Sequence, residues 1–182
     1  MFAMDVEKGL VLALVQPKFA QSYLDIVARE REYLSQWLAW PMLGHDEAFF
    51  LGFIQRALHD YADGKSMTCA MVWQDRVVGN ISFNTINPSL QKVEIGYWIS
   101  ADYQGKGIVT KSVAKLINVA FVELGMEKVE ISAAVDNHAS RRVAERLGFN
   151  HEGTITRSEN LNGRVIDHAV YGLSRAVWAG TK

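Results

Sequence analysis

Residues 93–110 decide the fold, and their sequence is Val93-Glu94-Ile95-Gly96-Tyr97-Trp98-Ile99-Ser100-Ala101-Asp102-Tyr103-Gln104-Gly105-Lys106-Gly107-Ile108-Val109-Thr110. The part before Ser100 is rich in aromatic and β-branched residues, which predicts a strand. Gly105 and Gly107 then flank a lysine, and a run with helical spacing begins directly after them. A strand, a glycine turn and a helix start leave backbone N–H groups unpaired, and the helix dipole favours an anion there. The stretch therefore predicts a phosphate-binding loop.

The surrounding segments predict an α+β domain of three layers, with a mixed, mostly antiparallel sheet of about seven strands flanked by helices. Three strands with tight turns form an antiparallel meander that leads into the glycine loop. The strand after the next helix is expected to lie parallel to Lys92–Ile99, because crossover connections are right-handed. The predicted strands are 10–16, 67–73, 77–86, 92–99, 128–135, 149–157 and 165–173. One helix is predicted after Pro17, two more over 45–64 and 139–147, and a long one between the glycine loop and Gly125.

Length and composition indicate one domain over residues 1–182, because a chain of 182 residues has little room for a second core. The 19 basic and 20 acidic residues nearly cancel, which argues against a general nucleic-acid binder or a membrane-surface protein. The acidic N-terminus does not resemble a signal peptide, and runs such as Leu10–Val15 are too short to span a bilayer, so we expect a cytoplasmic protein. Cys69 lies in an apolar strand and is expected to be a buried structural thiol.

Three interpretations of the glycine loop can be separated by its spacing. A P-loop requires four residues between its first glycine and a Gly-Lys-Ser/Thr, which Gly105 to Ile108 does not provide. A dinucleotide-binding site requires three glycines within a βαβ unit, whereas only two are present here, after an antiparallel meander. The third interpretation is a tight strand-to-helix turn without any ligand, and the loop taken alone favours it.

The context of the loop changes that preference. Gln104-Gly105-Lys106-Gly107 resembles the Gln/Arg-x-x-Gly-x-Gly/Ala signature of the GNAT acyltransferase superfamily, and the order of predicted elements resembles that superfamily too. Val109 departs from the signature, which has glycine or alanine there. A valine is compatible with phosphate binding if its side chain points into the core, since backbone N–H groups make the contacts.

Several further segments resemble the RimJ/RimL type of ribosomal-protein N-acetyltransferase, and the serine-directed members in particular. They are Leu34–Pro41, Glu94–Trp98, Val135–Phe149 and Leu161–Gly163, so the resemblance covers nearly the whole chain. It implies an enzyme that transfers an acetyl group from acetyl-CoA to the N-terminal α-amine of a protein, by direct attack on the thioester in a ternary complex. The implied acceptor is a ribosomal protein that begins with serine, and the implied oligomer is a homodimer.

The resemblance also implies which residues bind the donor. Loop amides would hold the pyrophosphate, the strand before the loop would carry the pantetheine arm, and Asn137 would bond the arm from the other side. Asn137 is also suited to cap a helix. Gly96 fits either a β-bulge or a close packing contact. The implied donor-binding residues are Tyr97, Trp98, Ile99, Gln104, Gly105, Lys106, Gly107, Ile108, Val109, Thr110 and Asn137.

Two residues are candidates for catalysis. Many superfamily members use a tyrosine to protonate the leaving thiolate, but Ala144 stands at that position, and the resemblance suggests Ser140 instead. Ser140 could equally be an ordinary polar residue of a first helical turn. Glu159 matches the carboxylate that serves as base in the serine-directed members, with a solvated hairpin glutamate as the alternative.

The remaining assignments concern the acceptor and the alternatives. Trp37 and Trp40 fit either core packing or a substrate-binding wall. Asp167 and His168 are expected to be structural, and the scattered histidines do not suggest a metal site. The same fold could acylate a small amine or an antibiotic, or use succinyl-CoA, and a non-catalytic CoA-binding regulatory module is a second alternative.

Overall fold

The computed structural model describes residues 2–180, which form one mixed sheet of eight strands with helices on both faces. The strand order is β1-β2-β3-β4-β5-β6-β8-β7, and only β5 and β6 are parallel. The strands are β1 (Ala3–Glu7), β2 (Leu10–Leu14), β3 (Met67–Trp73), β4 (Arg76–Asn87), β5 (Lys92–Ile99), β6 (Lys128–Ala134), β7 (Asn150–Leu161) and β8 (Arg164–Ser174). The helices are α1 (Ala20–Ser35), α2 (Glu47–Ala62), α3 (Ile108–Asn118), α4 (His138–Arg146) and α5 (Arg175–Ala179).

Strand β1 is the element that the sequence analysis missed. It pairs antiparallel with β2 at the edge of the sheet, from Ala3↔Ala13 to Glu7↔Leu10. Met4 and Val6 alternate with Asp5 and Glu7 and are partly buried against the larger apolar cluster, but two apolar positions are too short a period to identify a strand. The pairing with β2 defines it, and the sheet has eight strands rather than about seven.

The sheet is the middle layer of three, as predicted. The larger apolar cluster lies on the α3 and α4 face and contains Ile81, Ile95, Val113 and Phe121. The smaller cluster lies between the other face and α1 and α2, and contains Tyr23 and Phe50. Alternating residues of β2 divide between the two, because successive side chains of a strand point to opposite faces.

Strands β5 and β6 separate along their length and open a cleft. They pair only from Lys92↔Lys128 to Glu94↔Glu130, and beyond Glu94 neither strand has the other as a partner. The nearby bulge lies in β4, where Asn84 is the extra residue between Phe83↔Ile95 and Thr85↔Glu94. Gly96 is therefore a close-packing position, since a Cβ atom there would overlap the Asn84 side-chain amide.

The glycine loop is tied to α1 through a kink in that helix. Glu30 has non-helical angles (φ −122°, ψ 21°) inside α1. Its carboxylate accepts hydrogen bonds from Ser100 Oγ at 2.6 Å and from the Ala101 N–H at 2.8 Å. These bonds hold the chain in place where it leaves β5 and enters the loop.

The final hairpin contains a predicted turn and an unpredicted bulge. Asn162 (φ 53°) and Gly163 (φ 98°) form the tight turn that their dipeptide predicts, with positive φ at both positions. Further along β7, the pairs Ile155↔His168 and Glu159↔Ile166 leave three residues of β7 opposite Asp167 alone. The Arg157 N–H donates to Asp167 Oδ1 at 2.8 Å, which gives Asp167 the structural position expected of it.

Candidate active site

The cleft between β5 and β6 has two lobes. The loop lobe is lined by the glycine loop, by β5 and by the first turns of α4. Its volume is about 660 Å³, and that of the second lobe, the aromatic lobe, is about 650 Å³. The aromatic lobe lies on the α1 and α2 side and reaches β4 and the β7–β8 hairpin. The two lobes share the lining residues Trp37, Leu38, Tyr97, Trp98, Asn137 and Ser140. The two lobes therefore meet at these six residues.

The loop lobe presents unpaired N–H groups to the cleft. Gly105 (φ 72°) and Gly107 (φ 74°) adopt the left-handed conformation, which turns the chain sharply before α3. No backbone carbonyl of the described chain accepts from the N–H groups of residues 105–107, and those of the first turn of α3 have no partner within the helix. This end of α3 is therefore suited to bind an anion.

Two side chains of the loop differ in position. Val109 packs against the larger apolar cluster, so its side chain does not block the N–H groups. Lys106 does not line the loop lobe, and its ammonium lies 4.7 Å from the centroid of the Tyr103 ring. The positive charge along the lobe comes instead from Arg142 and Arg146 of α4. The sequence analysis assigned these arginines no role, although their spacing of four residues places both on one face of α4.

The upper part of β5 has one free edge. Tyr97, Trp98 and Ile99 pair with Ile81, Asn80 and Gly79 of β4 on one side. On the other side they face the opening, because β6 has already separated. An extended ligand could therefore add to this edge as a further strand.

The start of α4 brings three polar side chains together. Asn137 caps the helix, with its Oδ1 accepting from the Ser140 N–H at 3.1 Å. Tyr97 Oη lies 2.9 Å from Ser140 Oγ and donates at 3.2 Å to the Ser140 carbonyl. Burial raises the pKa of Tyr97 to about 12. Ala144 is fully buried and does not line either lobe, so it offers nothing to the cleft.

The wall of the aromatic lobe is made of rings that contact each other. The Trp40 ring lies 5.7 Å from that of Trp98 and 6.1 Å from that of Phe50, measured between centroids. The Arg164 guanidinium lies 5.4 Å from the centroid of Trp37, and Arg164 also donates to the carbonyl of Gln36. Both tryptophans line the lobe while packing against neighbours, so packing and a binding wall are compatible here.

Three carboxylates line the aromatic lobe, those of Asp60, Glu94 and Glu159. Glu159 Oε2 lies 3.1 Å from His168 Nε2, which brings His168 into the cleft. Glu94 is partly buried, and burial raises its pKa, with Glu130 adding to the effect and Lys92 and His168 opposing it. Sequence reasoning assigned no role to Glu94. Its alternation with Gly96 and Trp98 on one face of β5 could have placed it beside the aromatic wall.

Residues 10–150 match the family described as the acetyltransferase (GNAT) domain. The chain belongs to this family. The putative ribosomal N-acetyltransferase YdaF of Bacillus subtilis is 32% identical and aligns over 100% of both chains. The ribosomal-protein-serine acetyltransferase of Escherichia coli is 29% identical over 91% of this chain and 93% of its own. A structure of the ribosomal L7/L12 α-N-protein acetyltransferase RimL with coenzyme A superposes with a TM-score of 0.92, at 26% identity, over 96% of this chain and 99% of that one.

As a GNAT enzyme, the protein is an N-acetyltransferase that uses acetyl-CoA as its co-substrate. The loop lobe fits this donor, because it combines an anion site with a free strand edge long enough for an extended arm. Among residues 2–180, no group of three His, Cys, Asp or Glu residues is arranged to hold a metal ion. Over the same residues, no helix has the length and apolar character needed to cross a membrane.

Proposed function

We propose that this enzyme acetylates the N-terminal α-amine of a protein, and in particular of a ribosomal protein that begins with serine. One observation carries the proposal: the loop lobe and the aromatic lobe meet at the free edge of β5, beside Ser140. A thioester lying along β5 would therefore be open to attack from the aromatic lobe. The names of the relatives in Bacillus subtilis and Escherichia coli support a ribosomal acceptor.

On the donor side, the N–H groups of residues 104–110 would hold the pyrophosphate, with Arg142 and Arg146 adding positive charge from α4. The backbone of Tyr97–Ile99 would bind the pantetheine arm as an added strand. Asn137 would bond the arm from α4 while its Oδ1 caps the helix. A β5 N–H group would then polarise the thioester carbonyl.

On the acceptor side, a protonated amine would enter a lobe with three carboxylates and aromatic walls. An α-amine has an ordinary pKa of about 7.7–8.0, whereas that of lysine is about 10.4. An α-amine is therefore already partly neutral near pH 7 through loss of its first proton to solvent, and a single carboxylate base need take only the proton that the nitrogen releases on attack. Glu159 would accept the proton, directly or through a water, and His168 would orient its carboxylate.

The chemical step would form the C–N bond and break the C–S bond. The amine proton passes to Glu159, and the leaving sulfur takes a proton from Ser140. Trp37 and Trp40 would hold the first residues of the acceptor peptide against the lobe. No covalent acyl-enzyme is needed, because the two substrates lie in adjoining lobes.

A panel of acceptors tests the proposal. Thiol release from acetyl-CoA would be followed with short peptides that begin with Ser, Ala or Met, with N-formylated versions as controls, and with polyamines and aminoglycosides. We expect the Ser peptides to give the highest kcat/KM and the blocked peptides to give none. Turnover of small amines without any peptide would reject the acceptor assignment, and preference for succinyl-CoA would reject the donor assignment.

We also propose that two copies form a homodimer in the cytoplasm, where a ribosomal acceptor would be met. Strand β7 supports association, since it is a long, largely exposed edge strand next to the hairpin that carries Glu159. Sedimentation analysis would give twice the monomer mass of 20.4 kDa if the dimer forms. A monomer at micromolar concentration would contradict this part of the proposal.

A further inference from the structure

The hydroxyl of Tyr97 has no role in the donor contacts described above, which use only the backbone of that residue. Strand β5 sends alternate side chains to opposite faces, so Glu94 and Trp98 face the aromatic lobe while Tyr97 faces α4. There its Oη lies 2.9 Å from Ser140 Oγ. The pair sits at the junction of the two lobes, since both residues line both of them.

We infer that Tyr97 is a positioning residue for Ser140 and supplies the proton that Ser140 passes to the leaving sulfur of coenzyme A. The inference rests on the proposed function of Ser140 and extends it. A serine hydroxyl that gave up its proton alone would become an alkoxide, which is a far stronger base than the thiolate it protonates. A phenol is a stronger acid than an aliphatic alcohol. If Tyr97 donates a proton to Ser140 Oγ while Ser140 protonates the sulfur, no serine alkoxide forms.

The proton balance of this step is complete. The acceptor reacts as the neutral amine, after it has lost its first proton to solvent. The C–N bond forms while the C–S bond breaks, and Glu159 takes the second proton from the nitrogen. The sulfur takes the proton of Ser140 Oγ, and Ser140 Oγ takes the proton of Tyr97 Oη. After the products leave, solvent in the open cleft returns a proton to Tyr97, and the proton held by Glu159 is released to solvent.

The geometry of the site supports this transfer. Asn137 fixes the backbone of Ser140, and the single O–H of Tyr97 lies within reach of two acceptors of that residue, the carbonyl at 3.2 Å and the Oγ at 2.9 Å. The proton can therefore turn from the carbonyl to the Oγ when the serine gives up its own. Burial raises the pKa of Tyr97 to about 12, so the phenolate is short-lived and regains a proton from solvent. The buried Ala144 offers no hydroxyl that could replace those of Tyr97 and Ser140.

The kinetic test compares Tyr97→Phe, Ser140→Ala and the double variant. Each single change should lower kcat about 100-fold or more, in the range of general acid catalysis, with the KM for acetyl-CoA within about twofold of wild type. The double variant should be no slower than the slower single variant, because the two residues act as one unit. The inference would be overturned if the fold losses in kcat of the two single variants multiply in the double variant, or if Tyr97→Phe leaves kcat unchanged.

Tyr171→Phe is the matched control. The hydroxyl of Tyr171 is also bonded to α4, through Arg141 Nε at 2.9 Å and Glu145 Oε1 at 3.0 Å, but Tyr171 lines neither lobe. Its loss should lower the melting temperature and leave kcat within about twofold of wild type. An equal loss of kcat in Tyr171→Phe would mean that anchoring of α4, and not proton supply, explains the Tyr97 variant.

A second readout does not depend on turnover. The thiol pKa of bound coenzyme A can be followed by thiolate absorbance, without any acceptor. Hydrogen bonds from Ser140 and Tyr97 stabilise a thiolate, so the bound thiol should have a lower pKa in wild type than in either single variant. Equal values in wild type and Tyr97→Phe would overturn the inference. Failure of coenzyme A to bind would reject the donor site itself, whereas failure of the peptide panel alone would leave this readout intact.

Discussion

Glu94 and Glu159 are two carboxylates of one lobe in different surroundings. Glu159 has His168 within hydrogen-bond distance, whereas Glu94 is partly buried beside another acid, Glu130, and burial raises its pKa. A raised carboxyl pKa means that ionisation of Glu94 costs folding free energy. Groups with a perturbed pKa are often functional, and the proposed function gives Glu94 a role in binding the cationic acceptor.

This cost predicts the pH dependence of the Glu94→Gln variant. Below the ordinary glutamate pKa of about 4.3, Glu94 is protonated in both the folded and unfolded states and makes no difference. As the pH rises through the raised pKa, wild type loses stability that the glutamine variant keeps. In urea unfolding, the free energy of unfolding of the variant should therefore increase relative to that of wild type between pH 4 and pH 7. The KM of the variant for the acceptor should be higher than that of wild type. A stability difference independent of pH would contradict this prediction.

Glu159 carries a prediction about rate. If it is the base, Glu159→Gln should lower kcat about 100-fold and change the KM for acetyl-CoA little, because the glutamine still fits the site but cannot accept a proton. Glu152→Gln is the control, since Glu152 lies on the same strand and pairs with Lys128 outside the cleft. Equal rates for wild type and Glu159→Gln would assign the proton transfer elsewhere, with Glu94 the first residue to examine.

At the scale of elements, the sequence predicted most of the sheet because local signals and pairing agreed. The strand, glycine loop and helix over residues 93–124 were identified from alternation, Gly105, Gly107 and helical spacing, and the parallel crossover to β6 followed from handedness. Strand β1 was missed because its apolar alternation is limited to Met4 and Val6, and the pairing with β2 that defines it is not a local signal. The bulges at Asn84 and around Arg157 depend on register with a neighbouring strand, which a single sequence does not encode locally.

Loop and cap motifs predicted the donor side of the candidate site, while Trp37, Trp40 and Glu159 on the acceptor side came from the family resemblance and from their residue types. Gln104–Thr110, Asn137 and Ser140 follow one another in loop and cap patterns, and all of them lie at the cleft except for the side chain of Lys106. Glu94, Arg142 and Arg146 carry no motif and were missed. The contact between Tyr97 and Ser140 joins residues 43 positions apart, so only the folded chain reveals it.

Strands β4 and β5 pack closely at Gly96, opposite the Asn84 side chain. Gly96→Ala places a methyl group against the Asn84 side chain and should lower the free energy of unfolding by about 1–3 kcal/mol, as overpacking does. Asn84→Ala should restore much of that loss when it is added to Gly96→Ala, since it removes the overlapping amide. Denaturant unfolding of the two single variants and the double variant measures this coupling. Strictly additive losses would show that Gly96 is needed for another reason.

At the scale of the whole molecule, the two lobes bring together parts of the chain that are distant in sequence. The aromatic wall comes from Trp37 and Trp40, the free strand edge from β5, and the candidate base from the hairpin at Glu159. Asn162 and Arg164 at the hairpin tip bond the carbonyls of Ala39 and Gln36, so the hairpin closes the lobe against the tryptophan segment. The proposed acceptor site therefore depends on contact between the β7–β8 hairpin and the segment that carries Trp37 and Trp40.

This arrangement predicts sequential kinetics with both substrates bound at once. A ping-pong route would need a nucleophile to carry the acetyl group, and the single cysteine, Cys69, is 1% exposed, lines neither lobe, and has its pKa raised to about 12 by burial. A thiol in that state is a poor nucleophile at neutral pH. Initial-rate plots against both substrates should therefore intersect rather than run parallel, and Cys69→Ala should keep kcat within about twofold while losing some stability to the cavity it leaves. Parallel lines, or an acetylated protein isolated after incubation with acetyl-CoA alone, would require a covalent intermediate and contradict direct attack across the two lobes.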